Sequence, residues 1–241
     1  MKTSIVVPAF NEERLLGETL RHIRAAMSAF TARGWDTELI VCDNNSTDRT
    51  AEIARAAGAT VVFEPVNQIA RARNTGAAAA TGDWLVFVDA DSHPTPELFA
   101  DVAEAIASGR VLAGGATLRL ATKSRRARLV NAGWNALSRA LRLLAGSFIF
   151  VEAAAFRAVG GFSHELFAGE ELDLTRRLKA EARKSGRRVV ILHRHPLLTS
   201  ARKVELYTGA ELLRFFLRAA VLPRATLRSR EACAPWYDGR R

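Results

Sequence analysis

The sequence predicts an α/β fold with a mostly parallel central sheet flanked by helices. Over residues 3–88, short β-branched or apolar runs alternate with stretches of helical spacing, which is the pattern of βαβ units. The run Trp84–Val88 is apolar throughout, as expected of a parallel strand covered on both faces. The chain has 241 residues, of which 49% are hydrophobic, and is therefore long enough to bury a substantial core.

The first half of the chain divides into strands and helices in alternation. Strands are predicted at residues 3–8, 37–42, 60–63 and 84–88. Helices are predicted at 12–30, from a cap at Ser46 or Thr47 to Ala57, and at 67–80.

The second half is less regular. Strands are predicted at 111–120, 148–151 and 188–192, a turn at 159–162, and helices at 125–144 and 170–184. The last of these helices begins acidic and ends basic, as the helix macrodipole favours. Residues 205–222 are amphipathic, which predicts that a domain at 1–203 is followed by a basic, amphipathic helical extension at 204–241.

Positive charge is concentrated near the C-terminus. Residues 1–175 carry a net charge of −2 and residues 176–241 a net charge of +12, so the formal charge of +10 arises in the last quarter. Such a region attracts nucleic acid, acidic lipid headgroups or phosphorylated substrates, unless it is only a solvated arginine-rich surface. The cysteines Cys42 and Cys233 are far apart, which predicts two reduced thiols.

The sequence shows neither a signal peptide nor a membrane span. The N-terminal residues run directly into a short strand pattern, and the apolar stretch at 143–151 is far below the roughly 20 residues that a span needs. We therefore expect a cytoplasmic protein.

Polar and acidic residues follow three of the predicted strands, where ligands bind in parallel sheets. Asp89 and Asp91 directly follow the apolar run at 84–88. Carboxylates at this spacing can hold a hard divalent cation, Mn²⁺ or Mg²⁺, together with substrate phosphates.

Other residues at the same edge suit the rest of a nucleotide. Asp43 can accept a hydrogen bond from a base, and Glu12 can accept from ribose hydroxyls. Arg71 and Arg73 are candidates to bind a diphosphate, with a solvated helix face as the alternative.

Five segments together resemble glycosyltransferase family 2, in its order and at its spacing. They are IVVPAFNEE (5–13), ELIVCDNNSTDRTAEIA (38–54), ARARNTGAAAATGDWLVFVDAD (70–91), VGGF (159–162) and GEELDLTRRL (169–178). The resemblance covers about residues 3–200. It implies a GT-A fold, with a nucleotide-binding half at 1–91 and an acceptor and catalytic half at 92–203. It also implies sugar transfer from a nucleoside diphosphate donor, usually with inversion.

The resemblance implies a role for individual residues. The donor-binding positions that match are Pro8, Ala9, Glu12, Asp43, Arg73 and Asp89. Asp91 matches the family's metal-binding acid, and His195 is favoured over His193 as a further metal ligand. Glu170 and Glu171 match a Glu-Asp pair whose second member is the catalytic base, so this chain carries a longer side chain at that position. Thr199, Ser200 and Arg202 are candidates for phosphate contacts.

Rival functions lack their own signatures in this sequence. A nucleotidyltransferase would carry a glycine-rich loop after the first strand, where this chain reads PAFNEE. A dinucleotide-dependent oxidoreductase would carry GxGxxG. Zinc-finger spacing and RNP-like aromatics are missing, so we do not expect a nucleic-acid-binding module. A processive polysaccharide synthase would need membrane spans and a QxxRW-type motif.

The basic end of the chain raises a further hypothesis. An apolar helix face at 205–222 beside clustered arginines is the pattern of a segment lying on an anionic membrane. A lipid-linked acceptor would then be close to the active site. Packing of the same face on the catalytic domain is the alternative.

Overall fold

The computed structural model describes residues 1–202, Arg218 and residues 222–233. The strands in this part are β1 Lys2–Ala9, β2 Asp36–Asp43, β3 Thr60–Phe63, β4 Trp84–Val88, β5 Ser92–His93, β6 Val111–Ala121, β7 Phe148–Glu152 and β8 Arg188–Ser200. The helices are α1 Leu16–Thr31, α2 Thr50–Ala56, α3 Ile69–Ala79, α4 Pro96–Ala107, α5 Arg125–Leu141, α6 Ala153–Ala158, α7 Glu170–Lys184 and α8 Pro223–Leu227.

All eight strands form one sheet in the order β3-β2-β1-β4-β7-β6-β8-β5. The pairs β1–β2, β1–β4, β2–β3 and β6–β8 are parallel, whereas β4–β7, β6–β7 and β5–β8 are antiparallel. The predicted α/β fold with a mostly parallel sheet flanked by helices is therefore confirmed. Because β1, β2 and β4 are parallel neighbours, their carboxyl ends meet at one edge of the sheet.

Both faces of the sheet are buried, and the alternation along β4 shows it. Val86 and Val88 point into a core that contains residues of α1 and α4, whereas Leu85 and Phe87 point into a second core with residues of α3, α6 and α7. The uniformly apolar β4 is thus fixed from both sides. The loop that follows it, which carries Asp89 and Asp91, therefore starts from a strand that is buried along its whole length.

Several elements differ from the sequence prediction. Helices α4 and α6 and the short strand β5 were not predicted, and β8 continues well past the predicted end at residue 192. Pro196 suggests a break there, but it falls at a register shift between β8 and β6, where Leu192 pairs with Ala116 and Leu197 with Leu118. A proline is tolerated at such a bulge because no ladder hydrogen bond requires its missing N–H.

The C-terminal residues in the described part pack on the domain. The Phe167 N–H donates to the carbonyl of Leu227 at 2.7 Å, and Cys233 is buried against Ala168. The predicted helix at 205–222 lies outside the described residues apart from Arg218 and Leu222, so the domain boundary at 203 stays a prediction. In the described part of the chain, no helix is both long enough and apolar enough to span a bilayer.

Candidate active site

The ends of β1 and β2 bring two predicted donor-binding residues together. Ala9 pairs with Asp43, and Pro8 with Cys42, in the parallel ladder. The Asn44 N–H donates to the carbonyl of Ala9 at 2.8 Å, which joins the carboxyl ends of the two strands. Asp43 is buried, and its carboxylate accepts from the Ser46 N–H at 3.0 Å, so its orientation is fixed before any ligand arrives.

The loops after β1 and β2 are joined by hydrogen bonds. The Glu12 N–H donates to Thr50 Oγ1 at 2.8 Å, and the Asn11 N–H to Ser46 Oγ at 3.0 Å. Asn11 returns the contact by accepting from the Thr47 N–H at 2.8 Å, and it does so with a positive φ of 50°. These bonds hold Glu12 at the same edge as Asp43.

Arg73 is the centre of a buried ion-pair network. It is 1% exposed, and its guanidinium donates from Nη1 to Glu170 Oε1 at 2.7 Å and from Nη2 to Asp89 Oδ1 at 2.9 Å. Nη2 also donates to the carbonyl of Gly146 at 2.9 Å. Burial lowers its pKa, but Asp89 and Glu170 more than offset this, so the pKa of Arg73 lies above its usual value. The guanidinium is therefore permanently charged.

This network gives Arg73 contacts that the sequence did not indicate, and its role in binding the donor stays a prediction. Both terminal nitrogens of the guanidinium are engaged by protein partners, Nη1 by the buried Glu170 and Nη2 by Asp89 and Gly146. Arg73 positions Asp89 and Glu170, which lie 16 and 97 residues away in the chain. The two acids were predicted at one site, and the structure brings them together through this one side chain.

Asn74, the next residue, explains the VGGF segment. Its Nδ2 donates to the carbonyl of Phe162 at 2.8 Å, and its Oδ1 accepts from the Phe162 N–H at 2.9 Å. Phe162 in turn packs under the Arg73 guanidinium, with the ring centroid 5.2 Å away. Neighbouring residues of α3 therefore hold three of the segments that carry the family resemblance.

Glu170 and Glu171 open helix α7. Glu170 is buried on Arg73, whereas Glu171 retains partial exposure. Burial and the adjacent Glu170 raise the pKa of Glu171 to about 8, and Arg73 partly offsets the rise. An accessible carboxyl group with a pKa near neutrality is suited to accept a proton. The sequence predicted both acids as catalytic residues. In the structure Glu170 is the ion-pair partner of Arg73, and Glu171 is the candidate base.

Arg202 lies between two of the predicted ligand-binding acids. Its Nη2 and Nη1 donate to the two carboxylate oxygens of Glu12 at 2.6 and 3.1 Å, and Nη2 is 3.5 Å from Asp91 Oδ2. A cavity of about 300 Å³ adjoins this group, lined by Asn11, Glu12, Glu13, Arg14, Thr47, Asp48 and Arg202. The carboxylates at this edge therefore already hold one positive charge.

His195 does not reach Asp91. The Ser200 N–H donates to the carbonyl of Asp91, and His195 lies five residues earlier along β8. Its Nδ1 lies 3.1 Å from Asp101 Oδ2 on α4 instead. The structure thus pairs His195 with Asp101, and its role as a metal ligand stays a prediction.

A second group of possible metal ligands lies near β5. The ligand atoms of Glu18, His22 and His93 are all within 4.8 Å of one another. The two imidazole rings, however, stack face to face with an interplanar angle of 7°. Lone pairs of histidine nitrogens lie in the ring plane, so stacked rings do not direct them at one ion.

Two contributors to the site carried no clear signal in the sequence. Gly146 supplies a carbonyl to Arg73, and an added Cβ there would lie 3.0 Å from Nη2. Gln68 is buried, and its Nε2 donates to the carbonyls of His164 and Leu166, which ties the start of α3 to the segment before α7.

Comparison with known proteins agrees with this architecture. Residues 4–158 match the model of "Glycosyl transferase family 2", which is more than half of the chain. The chain belongs to glycosyl transferase family 2. The family membership predicted from the five segments is thereby confirmed.

Curated relatives match over about half of the chain. A dolichol-phosphate mannosyltransferase from Pyrococcus furiosus is 32% identical over 123 residues, covering 48% of this chain and 33% of the relative. An undecaprenyl-phosphate 4-deoxy-4-formamido-L-arabinose transferase from Pseudomonas paraeruginosa is 34% identical over 123 residues, covering 46% and 34%. The chain thus spans about a third of the length of these relatives.

Solved structures confirm the GT-A fold over most of the chain. The mannosyltransferase PcManGT from Pyrobaculum calidifontis, in complex with GDP-Man and Mn²⁺, superposes with a TM-score of 0.69 at 21% identity, covering 91% of this chain and 61% of that one. Glucosyl-3-phosphoglycerate synthase from Mycobacterium tuberculosis, with Mg²⁺ and UDP, gives 0.63 at 20% identity, covering 95% and 81%.

Proposed function

We propose that this protein transfers a sugar from a nucleoside diphosphate donor to an acceptor hydroxyl or phosphate, with inversion at the anomeric carbon. The observation that carries the proposal is the arrangement around Arg73. It joins Asp89, at the end of the donor-side strand β4, to Glu170, beside the candidate base Glu171. Asp89 on the donor side and Glu171, the carboxyl group of raised pKa, are thus held in a fixed relative position, as a transfer between two bound substrates requires.

The donor nucleotide is proposed to lie along the ends of β1 and β2. Pro8 and Ala9 form the carboxyl end of β1, and the buried Asp43 is oriented to accept from the base. Glu12 is assigned to the ribose, which requires that Arg202 release at least part of its hold on that carboxylate. Once released, the Arg202 guanidinium is suited to contact a phosphate.

A divalent cation, Mn²⁺ or Mg²⁺, is proposed at Asp91. The residues fit such a group, because the carboxylates of Glu12 and Asp91 already accommodate the positive guanidinium of Arg202. Oxygen ligands of this kind suit both cations. When bound, the cation supplies positive charge that offsets the charge developing on the leaving diphosphate.

Glu171 is the proposed general base. In-line attack at the anomeric carbon needs a carboxylate that takes the proton from the acceptor hydroxyl. The raised pKa of Glu171 increases its proton affinity, and its partial exposure leaves it accessible to the acceptor. Glu170 is held on Arg73 at 2.7 Å and fixes the start of α7.

We further propose a lipid-linked acceptor and peripheral contact with a membrane. Two relatives are named for transfer to dolichol phosphate and to undecaprenyl phosphate, and both match the chain at more than 30% identity. The basic charge of residues 176–241 favours contact with anionic headgroups.

A donor screen tests the proposal. UDP-, GDP- and dTDP-sugars are added with and without Mn²⁺, and unfolding is followed by thermal shift. The true donor at 100 times its Kd should stabilise by about 2.7 kcal/mol, or roughly 5–10 °C, mainly when Mn²⁺ is present. Asp91→Asn should lose the Mn²⁺-dependent part. Asp83→Asn, at the opposite end of β4, is the matched control and should keep it.

The acceptor is tested with the donor so identified. Labelled sugar should move to polyprenyl phosphate and partition into the organic phase. Label that stays wholly in water-soluble products would contradict the lipid acceptor. Failure of every donor to stabilise the protein would contradict the proposed function itself.

A further inference from the structure

Helix α5 carries its apolar side chains on the outside. Leu129, Val130, Leu137 and Leu141 are 75, 64, 46 and 53% exposed. Val130, Leu137 and Leu141 are separated by seven and four residues, so they lie along one side of the helix. Four of the nine exposed large hydrophobic residues in the described part of the chain belong to this single helix.

The inward face of α5 is polar or small apart from the half-buried Trp134. Asn131 Nδ2 and Asn135 Nδ2 donate to the carbonyl of Leu118 on β6 at 2.7 and 2.8 Å, and Asn135 Oδ1 accepts from the Leu118 N–H at 2.9 Å. Ser138 is buried and donates to the carbonyl of Leu143 at 2.7 Å. A surface helix normally buries its apolar stripe and exposes its polar one, so the pattern here is reversed.

The charge around α5 has one sign. Between Glu104 and Glu152 the sequence contains no acidic residue. The basic residues next to the exposed stripe are themselves exposed, and they are Lys123, Arg125, Arg126, Arg128, Arg139 and Arg142. An apolar stripe flanked only by cations fits a partner that offers an apolar interior beneath a negatively charged surface.

We propose that α5 is the surface by which this protein lies on an anionic lipid bilayer, with Val130, Leu137 and Leu141 in the headgroup region. The inference rests on the proposed function only for its purpose, which is to bring a lipid-linked acceptor to the active site. It places the contact in the catalytic domain itself, in addition to the basic end of the chain.

Other partners fit this surface less well. A second copy of the chain, meeting α5 with its own α5, would bring two sets of arginines together, which repels. A nucleic acid would satisfy the cations but would leave the aliphatic stripe against a polar backbone, where it gains nothing.

The helix leads directly into the active site. It ends at Leu141, and the carbonyl of Gly146, five residues later, accepts from Arg73. Between them the Leu144 N–H donates to Thr175 Oγ1, and that hydroxyl donates to the carbonyl of Glu171. A headgroup held beside the end of α5 would therefore be near the start of α7, where the candidate base lies.

Vesicle flotation tests the inference with the full chain. Vesicles of phosphatidylcholine containing phosphatidylglycerol are compared with phosphatidylcholine alone, at low and high salt. The double variant Val130→Gln, Leu137→Gln should bind the anionic vesicles at least about fivefold more weakly than the unchanged protein. The matched control Phe63→Gln, Val66→Gln changes two equally exposed apolar residues elsewhere and should bind normally.

A second variant tests the contribution of the arginines on α5 to vesicle binding. Arg125→Gln, Arg126→Gln should weaken binding to anionic vesicles and reduce its sensitivity to salt. All variants are checked for an unchanged melting temperature and for stabilisation by the donor, so that loss of vesicle binding is separated from loss of the proposed enzymatic site. The changed positions are exposed, which makes misfolding a poor explanation of any effect.

The inference is overturned by any of three results. The unchanged protein fails to float with anionic vesicles at low salt. The Val130 and Leu137 variant floats as well as the control, which would leave the contact to the basic end of the chain. Or the stripe proves to be an interface between copies, seen as a dimer in light scattering that the same variant dissociates, without vesicle binding.

Discussion

The guanidinium of Arg202 grips the carboxylate of Glu12 with both terminal nitrogens, at 2.6 and 3.1 Å, across 190 residues of sequence. The same Nη2 lies 3.5 Å from Asp91. Although burial lowers it, the pKa of Arg202 is held above its usual value by Glu12 and Asp91, so the side chain is a permanent cation. Without a ligand, the proposed ribose-binding acid and the proposed metal-binding acid therefore share an internal positive charge, which a donor and its metal must displace or incorporate.

Replacing Arg202 should make the metal site easier to occupy. In Arg202→Gln, Glu12 and Asp91 lose their internal cation, so the affinity for free Mn²⁺ without nucleotide should rise about tenfold, equivalent to about 1.4 kcal/mol. Calorimetry with MnCl₂ measures this. Arg194→Gln is the matched control, since Arg194 also lies on β8 but pairs with Asp101 and Glu104. Unchanged or weaker Mn²⁺ binding in Arg202→Gln would contradict the competition.

Removing Arg73 should be costly, because it leaves two carboxylates without their buried counter-charge. We expect Arg73→Met to lower the free energy of unfolding by about 3–5 kcal/mol in urea titrations. Arg73→Lys keeps the charge but loses the two-pronged guanidinium. Its free energy of unfolding should lie between those of Arg73→Met and the unchanged protein. Arg71→Met is the control on the same helix and should cost about 1 kcal/mol or less. Equal costs at positions 71 and 73 would refute the central role of Arg73.

The two glycines of VGGF should differ sharply in their tolerance of alanine. Both have positive φ, 79° at Gly160 and 65° at Gly161, so each change costs about 1–2 kcal/mol in backbone strain. A Cβ at Gly160 meets nothing within 4 Å, whereas one at Gly161 would lie 2.7 Å from Asn74 Oδ1 and disturb its hydrogen bonds to Phe162. Gly161→Ala should therefore cost about 1–3 kcal/mol more than Gly160→Ala in urea unfolding. Similar costs would mean that Asn74 does not fix this turn.

The sequence predicted the fold class and the first four strands because their signals are local. Apolar runs such as Trp84–Val88 and the acids that follow them need no knowledge of distant residues. Helix α4, which was not predicted, also has a local signal: the side chain of Thr95 accepts from the Leu98 N–H, and Pro96 follows it at the first helical position.

The site was harder to predict because its decisive contacts are distant in sequence. Nothing local distinguishes an arginine that binds phosphate from one that is buried on Asp89 and Glu170. The same holds for Arg202, whose partner Glu12 lies 190 residues away in the sequence. The contact of His195 with Asp101, 94 residues away, likewise has no local signal in the sequence.

The raised pKa of Glu171 has a consequence for the rate of transfer. A base must be deprotonated, so kcat/KM should rise with pH through a pKa of about 8. Glu171→Gln should keep donor affinity, lose about 10²–10⁴-fold in transfer rate and lose this pH dependence. Asp173→Asn, on the same turn of α7 but paired with Arg176 and Arg177, is the control. If Asp173→Asn loses the activity instead, the base has been assigned to the wrong acid.

The same pKa predicts how stability depends on pH. A carboxyl group whose pKa is raised on folding favours the native state while it is protonated, and this contribution is lost as pH rises through the folded pKa. Glutamine does not titrate, so the melting temperature of Glu171→Gln minus that of the unchanged protein should grow between about pH 5 and about pH 9, by at least about 3 °C if the linked free energy reaches 1 kcal/mol. Glu181→Gln, farther along α7 and paired with Lys184 at the surface, should show a nearly constant difference. A constant difference for Glu171→Gln as well would mean that Glu171 is already ionised at neutral pH, and its role as a base of high proton affinity would have to be abandoned.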